Sequence, residues 1–275
     1  MKKIEAKIVA DSVNKQGNRI TTFLLTYPRF IHSELMTHRM FSRNSASSRA
    51  IPFEKMLKMV EEDPFIPVVW QKSHVGMQGS EYLTDIMDIE RAEHRWRMSI
   101  ANNIEQAKVL NDGIGVTKQL CNRLLEPFMW HTTLVTATEF SKFFELRCPK
   151  YKAPENSIET KGKIFRSKRD MIQFYIDNDF KIGVGALSLW NTTDWLKINS
   201  SQAEIHIQAL AEAMWDAMNE STPKQLQAGE WHIPFGDIMD DEEILKLHIG
   251  ISGFPHEQDA AHEFTKVVVA TARCA

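Results

Sequence analysis

Much of the chain carries apolar residues at the spacing of amphipathic helices or of strands. Apolar positions recur every three or four residues in segments 53–61, 82–110, 117–125, 140–147, 168–178 and 202–218. Segments 19–27 and 129–136 are instead rich in threonine, β-branched and aromatic residues, which is typical of strands. These patterns predict a fold that combines several helices with strands.

The segment Thr37–Arg49 combines three arginines and a histidine with small hydroxyl and amide residues. Apolar residues at 30, 31, 35 and 36 predict a buried helix before it, and residues 44–48 predict a polar loop after it. Arginine can hold a phosphate through two parallel hydrogen bonds, so the segment is suited to binding an anion. The alternative is a helix C-terminus with favourable cations, followed by an ordinary serine-rich loop.

Composition narrows the classes of function. The 275 residues can bury a substantial core, and their net charge of -3 argues against a general nucleic-acid surface. The three cysteines are too scattered for a disulfide framework, which favours a reducing, cytoplasmic setting. The sequence contains no apolar run of the ~20 residues that a membrane span needs, and its N-terminus does not resemble a signal peptide.

The anion-binding segment resembles the signature of the flavin-dependent thymidylate synthases. That signature reads Arg-His-Arg, two residues, Ser, one residue, Asn-Glu, one residue, Ser, one residue, Arg. The residues that match it in register are His38, Arg39, Ser42, Asn44, Ser47 and Arg49. Thr37 and Ser45 replace its first arginine and its glutamate.

Further resemblances to this family follow in the same order along the chain. They lie at residues 65–67 and 78–80, at 122–127 around the arginine that reaches the substrate, at 136–147, and at 202–205. Thr136 and Thr138 replace an asparagine and an arginine of the family pattern. The resemblance covers residues 19–219 and implies an α+β fold in which long helices pack on a small mixed or antiparallel sheet. It also implies one catalytic domain, 1–275, with an insertion at about 150–199 and a C-terminal extension at 220–275.

The resemblance implies reductive methylation of dUMP to dTMP by a homotetramer with sites shared between chains. FAD would be the cofactor, with NADPH and methylenetetrahydrofolate as co-substrates. The implied substrate-binding residues are Glu34, Ser47, Ser48, Arg49, Arg123 and Arg147, of which Arg49 and Arg147 are the predicted catalytic residues. The implied FAD-binding residues are His38, Arg39, Ser42, Asn44, Lys142 and Gln202.

Some of these residues can also be assessed from their surroundings in the sequence. Arg147 occupies the i+7 position of the apolar face that begins at Phe140, so its charge must find an anion. That anion is either a ligand or a glutamate of this chain. Arg123 belongs equally well to a solvated helix face, and Gln202 lies at the start of a core helix.

The remaining histidines are dispersed, and no pair has the spacing of a zinc helix, so no metal site is predicted. His38 reads either as a hydrogen-bonded core residue or, through the family match, as a ligand-binding residue. The aromatic segment 229–235 either packs over a ligand ring or is a surface loop held by its aromatic side chains. Gly183-Val184-Gly185 lacks the spacing of a nucleotide-binding loop.

The C-terminal residues 266–275 resemble the run that leads into the family's first flavin-binding element, whereas only about eighteen residues precede Arg19. The order of elements therefore looks circularly permuted or truncated, with the family's first flavin-binding segment moved to the C-terminus and mostly absent. The alternative is an Ala/Val-rich strand that ends the chain. Two other functions stay open: a paralogue that modifies C5 of another deoxypyrimidine monophosphate, such as dCMP, and a nucleotide-binding homologue without flavin.

Overall fold

A mixed sheet of five strands forms the centre of the protein. The computed structural model describes residues 2–76, 79, 81–153, 160–180, 187, 190–240, 242, 244 and 264–270. The strands of the sheet are β1 (Glu5–Val13), β2 (Arg19–Pro28), β3 (Ser42–Ser45), β4 (Trp130–Ala137) and β7 (Lys224–Gln225). Their order is β3-β4-β2-β1-β7, and every neighbouring pair is antiparallel except β1 and β7. The α+β class predicted from the sequence is confirmed.

Helices surround this sheet, and most of them match the segments predicted by periodicity. They are α1 (His32–Met36), α2 (Phe53–Glu62), α3 (Ile86–Lys108), α4 (Lys118–Leu125), α5 (Ser141–Arg147), α6 (Lys168–Asp177), α7 (Thr192–Ile198) and α8 (Ile205–Glu220). Helix α3 begins later than predicted because Asp85 caps it and Tyr82 instead forms a bridge with Gln71. No helix among the described residues is long and apolar enough to cross a bilayer.

The main core lies between one face of the sheet and helices α5 and α8. Phe23, Leu25 and Tyr27 are fully buried at alternate positions of β2, as the period of a strand requires. They pack with phenylalanines of the α5 region and with aliphatic residues of α8. A second apolar cluster joins α2, α3 and α4, and a third lies within residues 151–198, where β5 (Tyr151–Lys152) pairs with β6 (Ile164–Phe165).

The structure corrects two expectations and adds a strand that the sequence pattern does not predict. Residues 44 and 45, predicted to start the polar loop, belong to the edge strand β3, which pairs with β4. Residues 264–270 are helical, so the predicted C-terminal strand is wrong for that range, while 271–275 lie outside the described residues. The sequence pattern does not predict strand β1, because its residues lack a clear apolar alternation; in the structure Ser12 is its only buried residue. Gln78, Ser80 and Gly183-Val184-Gly185 also lie outside the described residues.

Candidate active site

The first half of the signature, residues 37–44, lies in the turn between α1 and β3 and in β3 itself. Arg43 points back toward α1, and its Nη1 donates to the carbonyl of Met36 at 2.6 Å and to that of His38 at 3.3 Å. A cation at the end of a helix satisfies carbonyls that have no partner within the helix. Arg43 therefore has the structural role of a cation at a helix C-terminus, which was the alternative to anion binding. His38 and Glu34, in contrast, face Arg147.

Three predicted residues meet at the end of α5. The Arg147 Nη1 lies 3.5 Å from Glu34 Oε2, and the Arg147 Nε donates to His38 Nε2 at 3.2 Å. Both side chains of the ion pair keep partial contact with solvent, with 24% of Arg147 and 34% of Glu34 exposed. The charge of Arg147 thus has the glutamate partner that sequence analysis left open, and its role toward a ligand stays a prediction.

The surroundings of this cluster favour the neutral forms of Glu34 and His38. Burial raises the pKa of Glu34, the nearby carboxylate of Glu204 raises it further, and Arg147 lowers it. Burial also lowers the pKa of His38, as do the charges of Arg147 and Arg43. A neutral His38 accepts at Nε2 and therefore carries its proton at Nδ1. The cluster can thus offer guanidinium and imidazole donors beside a carboxylate acceptor.

Aromatic packing fixes the His38 ring in this position. The ring lies perpendicular to Phe143 at a centroid distance of 4.8 Å, and it stacks on Phe41 at 5.8 Å. Both phenylalanines belong to the main core. The cluster is therefore attached to the main core, which favours a preorganised site.

The second half of the signature is attached to α4. Ser48 is buried, and its Oγ donates to Glu126 Oε1. Asn122 Nδ2 donates to the carbonyls of Ser48 at 2.8 Å and Ile51 at 3.0 Å. Arg123 is exposed, with its Nη1 4.0 Å from Glu126 Oε1. Ser48 and Arg123, both predicted substrate residues, thus share Glu126, which sequence analysis did not single out.

Behind Glu126 lies a buried polar network that sequence analysis also missed. Arg29 donates from Nη1 to His131 Nε2 at 3.0 Å, and the His131 ring contacts the His32 ring at a centroid distance of 4.6 Å. The Tyr27 hydroxyl joins His32 Nδ1 and Thr133 Oγ1, each at 2.7 Å. Burial and the charge of Arg29 lower the pKa of His32 to about 4 and that of His131 to about 3. Tyr27 and His131 are opposed across β2 and β4, a pairing that no local sequence pattern shows.

We expect these two histidines to make the protein acid-sensitive. Their folded-state pKa values lie below the ~6.5 of an unfolded histidine, so each binds its proton mainly on unfolding. This contribution to stability is complete above about pH 6.5 and is lost below it, by up to about 1.4 kcal/mol per histidine for each pH unit. Urea denaturation at about pH 7.5 and 5.5 measures the loss. It should be smaller in His32→Gln, and equal losses in both proteins would contradict the assignment.

Two predicted flavin residues line a cavity on the opposite face of the sheet from the core. Ser42 and Asn44 border a cavity of about 390 Å³ together with Thr22, Thr136 and His232. Thr22 Oγ1 lies 2.7 Å from Thr136 Oγ1 and 2.8 Å from His232 Nε2, and His232 Nδ1 lies 3.0 Å from Ser12 Oγ. The loop at residues 229–235 thus reaches a cavity wall through His232, although Trp231 is largely exposed.

The other predicted residues are spread over the surface. Arg39, Ser47, Arg49 and Gln202 are exposed, and Lys142 forms an exposed ion pair with Glu145 at 2.8 Å. Of the predicted FAD residues, His38 contacts Arg147, Ser42 and Asn44 line the cavity, and the other three are exposed, so the described contacts do not join the six within one chain. The described residues contain no group of three or more potential ligand side chains arranged to hold a metal ion.

Comparison with solved structures identifies proteins of similar fold. PolB, a UMP/dUMP methylase from Streptomyces cacaoi bound with 5-Br UMP, matches with a TM-score of 0.50 and 14% identity, over 80% of this chain and 90% of that chain. Its structure bound with 5-Br dUMP matches with a TM-score of 0.51 and 13% identity, over 79% and 91%. No family model and no curated protein sequence matches this chain. At this identity the likeness is one of fold.

Proposed function

We propose that this protein is an enzyme that methylates C5 of a pyrimidine nucleoside monophosphate, with dUMP as the substrate and dTMP as the product. The contact of Arg147 with Glu34 and His38 is the observation that carries the proposal. It joins two segments that resemble the thymidylate synthase family into one partly exposed polar cluster. The fold shared with a UMP/dUMP methylase supports the same class of substrate.

The charges of the described residues suggest which of them would bind the base of the nucleotide and which would bind its phosphate. Arg147 is already paired with Glu34, so this pair suits the neutral donor and acceptor edge of a pyrimidine better than a dianion. Arg49 is exposed and has no ion-pair partner among the described residues, which suits it to the phosphate, with Ser47 beside it. Catalysis would then depend on aligning the base and fixing its electrostatics, which requires no nucleophilic side chain.

The proposal includes FAD as cofactor and NADPH and methylenetetrahydrofolate as co-substrates, because the signature resembles that of the flavin-dependent thymidylate synthases. A bound flavin would supply the redox chemistry that side chains lack. Because Arg39, Lys142 and Gln202 are exposed, we place the cofactor site between copies of the chain in a homotetramer. The visible absorbance spectrum of the purified protein tests this: oxidised flavin bands support it, and their absence after incubation with FAD would favour the binding protein without flavin.

A second substrate is favoured by the acid in the Arg147 cluster. Glu34 places a carboxylate where it can accept a hydrogen bond, and cytosine, unlike uracil, presents an exocyclic amino donor. A dCMP-directed enzyme is therefore the alternative that the geometry supports. Calorimetric titration with dUMP and dCMP, at equal ionic strength, decides between the two bases.

We expect Arg49→Ala to weaken binding of the monophosphate by roughly 1.5 to 3 kcal/mol, the loss typical of a charge-assisted contact. Deoxyuridine, which lacks the phosphate, should bind both proteins equally in the same titration. Arg97→Ala is the matched control, because that exposed arginine pairs with Glu93 on α3 and is not assigned to the site. Equal losses for nucleoside and monophosphate would show that Arg49 is not a phosphate ligand.

A further inference from the structure

Glu126 lies where α4, the helix that carries Arg123, meets the signature loop, residues 46–51. Its Oε1 accepts the hydrogen bond of Ser48 and lies 4.0 Å from Arg123 Nη1, while its Oε2 lies 3.9 Å from Arg29 Nε. Only 19% of the side chain is exposed. One carboxylate thus connects a serine and an arginine of the proposed nucleotide site with an arginine of the buried network.

Helix α4 makes further bonds to the same loop. Asn122 Nδ2 donates to the carbonyls of Ser48 and Ile51, and Lys118 Nζ donates to the carbonyl of Ala50 at 3.3 Å. These bonds are to the backbone, whereas Glu126 accepts from the only buried hydroxyl of the loop. Ser47 and Arg49 flank Ser48 directly, so the contacts of Ser48 with α4 determine where both residues lie.

Glu126 has a second partner that makes its charge necessary. The ion pairs of the described residues give Arg29 no other carboxylate. On its far side Arg29 donates to His131, whose depressed pKa keeps the ring neutral. A mostly buried guanidinium without an anion is costly, so loss of the Glu126 charge should disturb the site rather than free it.

We propose that Glu126 is a positioning residue of the nucleotide site, which holds Ser48 against Arg123 so that Ser47 and Arg49 face the substrate phosphate. This inference rests on the proposed function. Glu126 touches no substrate in this role: it accepts the hydrogen bond of Ser48 and lies near the two arginines. Positioning residues act through the geometry of the groups that bind, so their effect should be specific to the part of the ligand that those groups contact.

The test compares Glu126→Gln, Ser48→Ala and the double variant with the wild-type protein. Glu105→Gln serves as the matched control, because it removes an exposed glutamate on α3. Titration calorimetry with dUMP and with deoxyuridine measures binding, and hydrogen exchange of residues 46–51 measures the order of the loop. We expect Glu126→Gln to weaken dUMP binding about tenfold and deoxyuridine binding less than twofold, with faster exchange in the loop. The double variant should be no more than about twofold weaker than the weaker single variant, because both changes break one contact.

The possible results separate the inference from the proposed function. Unchanged or tighter dUMP binding by Glu126→Gln overturns the inference, and so does an equal loss for dUMP and deoxyuridine, since that indicates general loosening. If the wild-type protein binds no pyrimidine monophosphate, the proposed function and the nucleotide role of Glu126 both fail. In that case, unchanged hydrogen exchange of residues 46–51 in Glu126→Gln would show in addition that Glu126 does not hold the loop in place.

Discussion

Replacement of Arg147 by alanine is expected to reduce turnover of the pyrimidine monophosphate at least a hundredfold, the effect typical of losing a preorganised electrostatic contact. The change removes the guanidinium and also leaves Glu34 and His38 without their shared partner. Steady-state kinetics with saturating monophosphate, methylenetetrahydrofolate and reductant measure it. Arg147→Lys should recover little, because one ammonium cannot contact Glu34 and His38 with the fork geometry of a guanidinium.

A matched change separates this effect from a general loss of structure. Arg166→Ala also removes an arginine, one that contacts the ring of Trp215 rather than the Arg147 cluster. Its turnover should stay within a few fold of the wild-type value. If Arg147→Ala retained more than a tenth of the wild-type turnover while remaining folded, Arg147 would be a structural partner of Glu34 only, and the site would have to lie elsewhere.

Replacement of Phe143 by alanine is expected to cost about 3 to 5 kcal/mol of folding free energy, since it empties a large volume in the main core. Phe143 is 2% exposed and packs against His38, Phe41 and Phe144. A typical domain is stable by only about 5 to 15 kcal/mol, so the variant should be close to unfolding at moderate temperature. Urea denaturation followed by circular dichroism measures the change.

The same helix provides the control. Leu146 lies on α5 but is largely exposed, so Leu146→Ala should change stability by less than about 0.5 kcal/mol. A milder variant, Phe143→Leu, keeps most of the buried volume and removes the ring that packs on His38. If the Phe143 ring positions the Arg147 cluster, Phe143→Leu should weaken nucleotide binding even at a temperature where the variant is fully folded. A cost below about 1 kcal/mol for Phe143→Ala would contradict the packing described here.

The elements with strong local periodicity were predictable from the sequence. Helices α2, α4, α5, α6 and α8 and strands β2 and β4 lie within a few residues of the predicted segments, because each has an apolar face that its own sequence defines. β1 and β3 lack that face. β1 is a strand because it forms a hairpin with β2, where Ser12 lies opposite Ile20, and β3 is a strand because it pairs with the distant β4, where Ser42 lies opposite Thr136. Both depend on partner strands rather than on an apolar face of their own.

The sequence by itself determined the α+β class, the apolar faces of the helices and which segment is rich in anion-binding residues. Only the tertiary structure decided the partners of those residues. Glu34 and Arg147 are 113 residues apart and Ser48 and Glu126 are 78 apart, and no local pattern encodes such contacts. The same holds for Arg43: the composition of its segment suggested an anion ligand, but its side chain extends from β3 to the end of α1 and donates to the carbonyl of Met36. Periodicity reports which face of an element is buried, whereas charged side chains find their partners only when the packed elements bring them within a few ångströms.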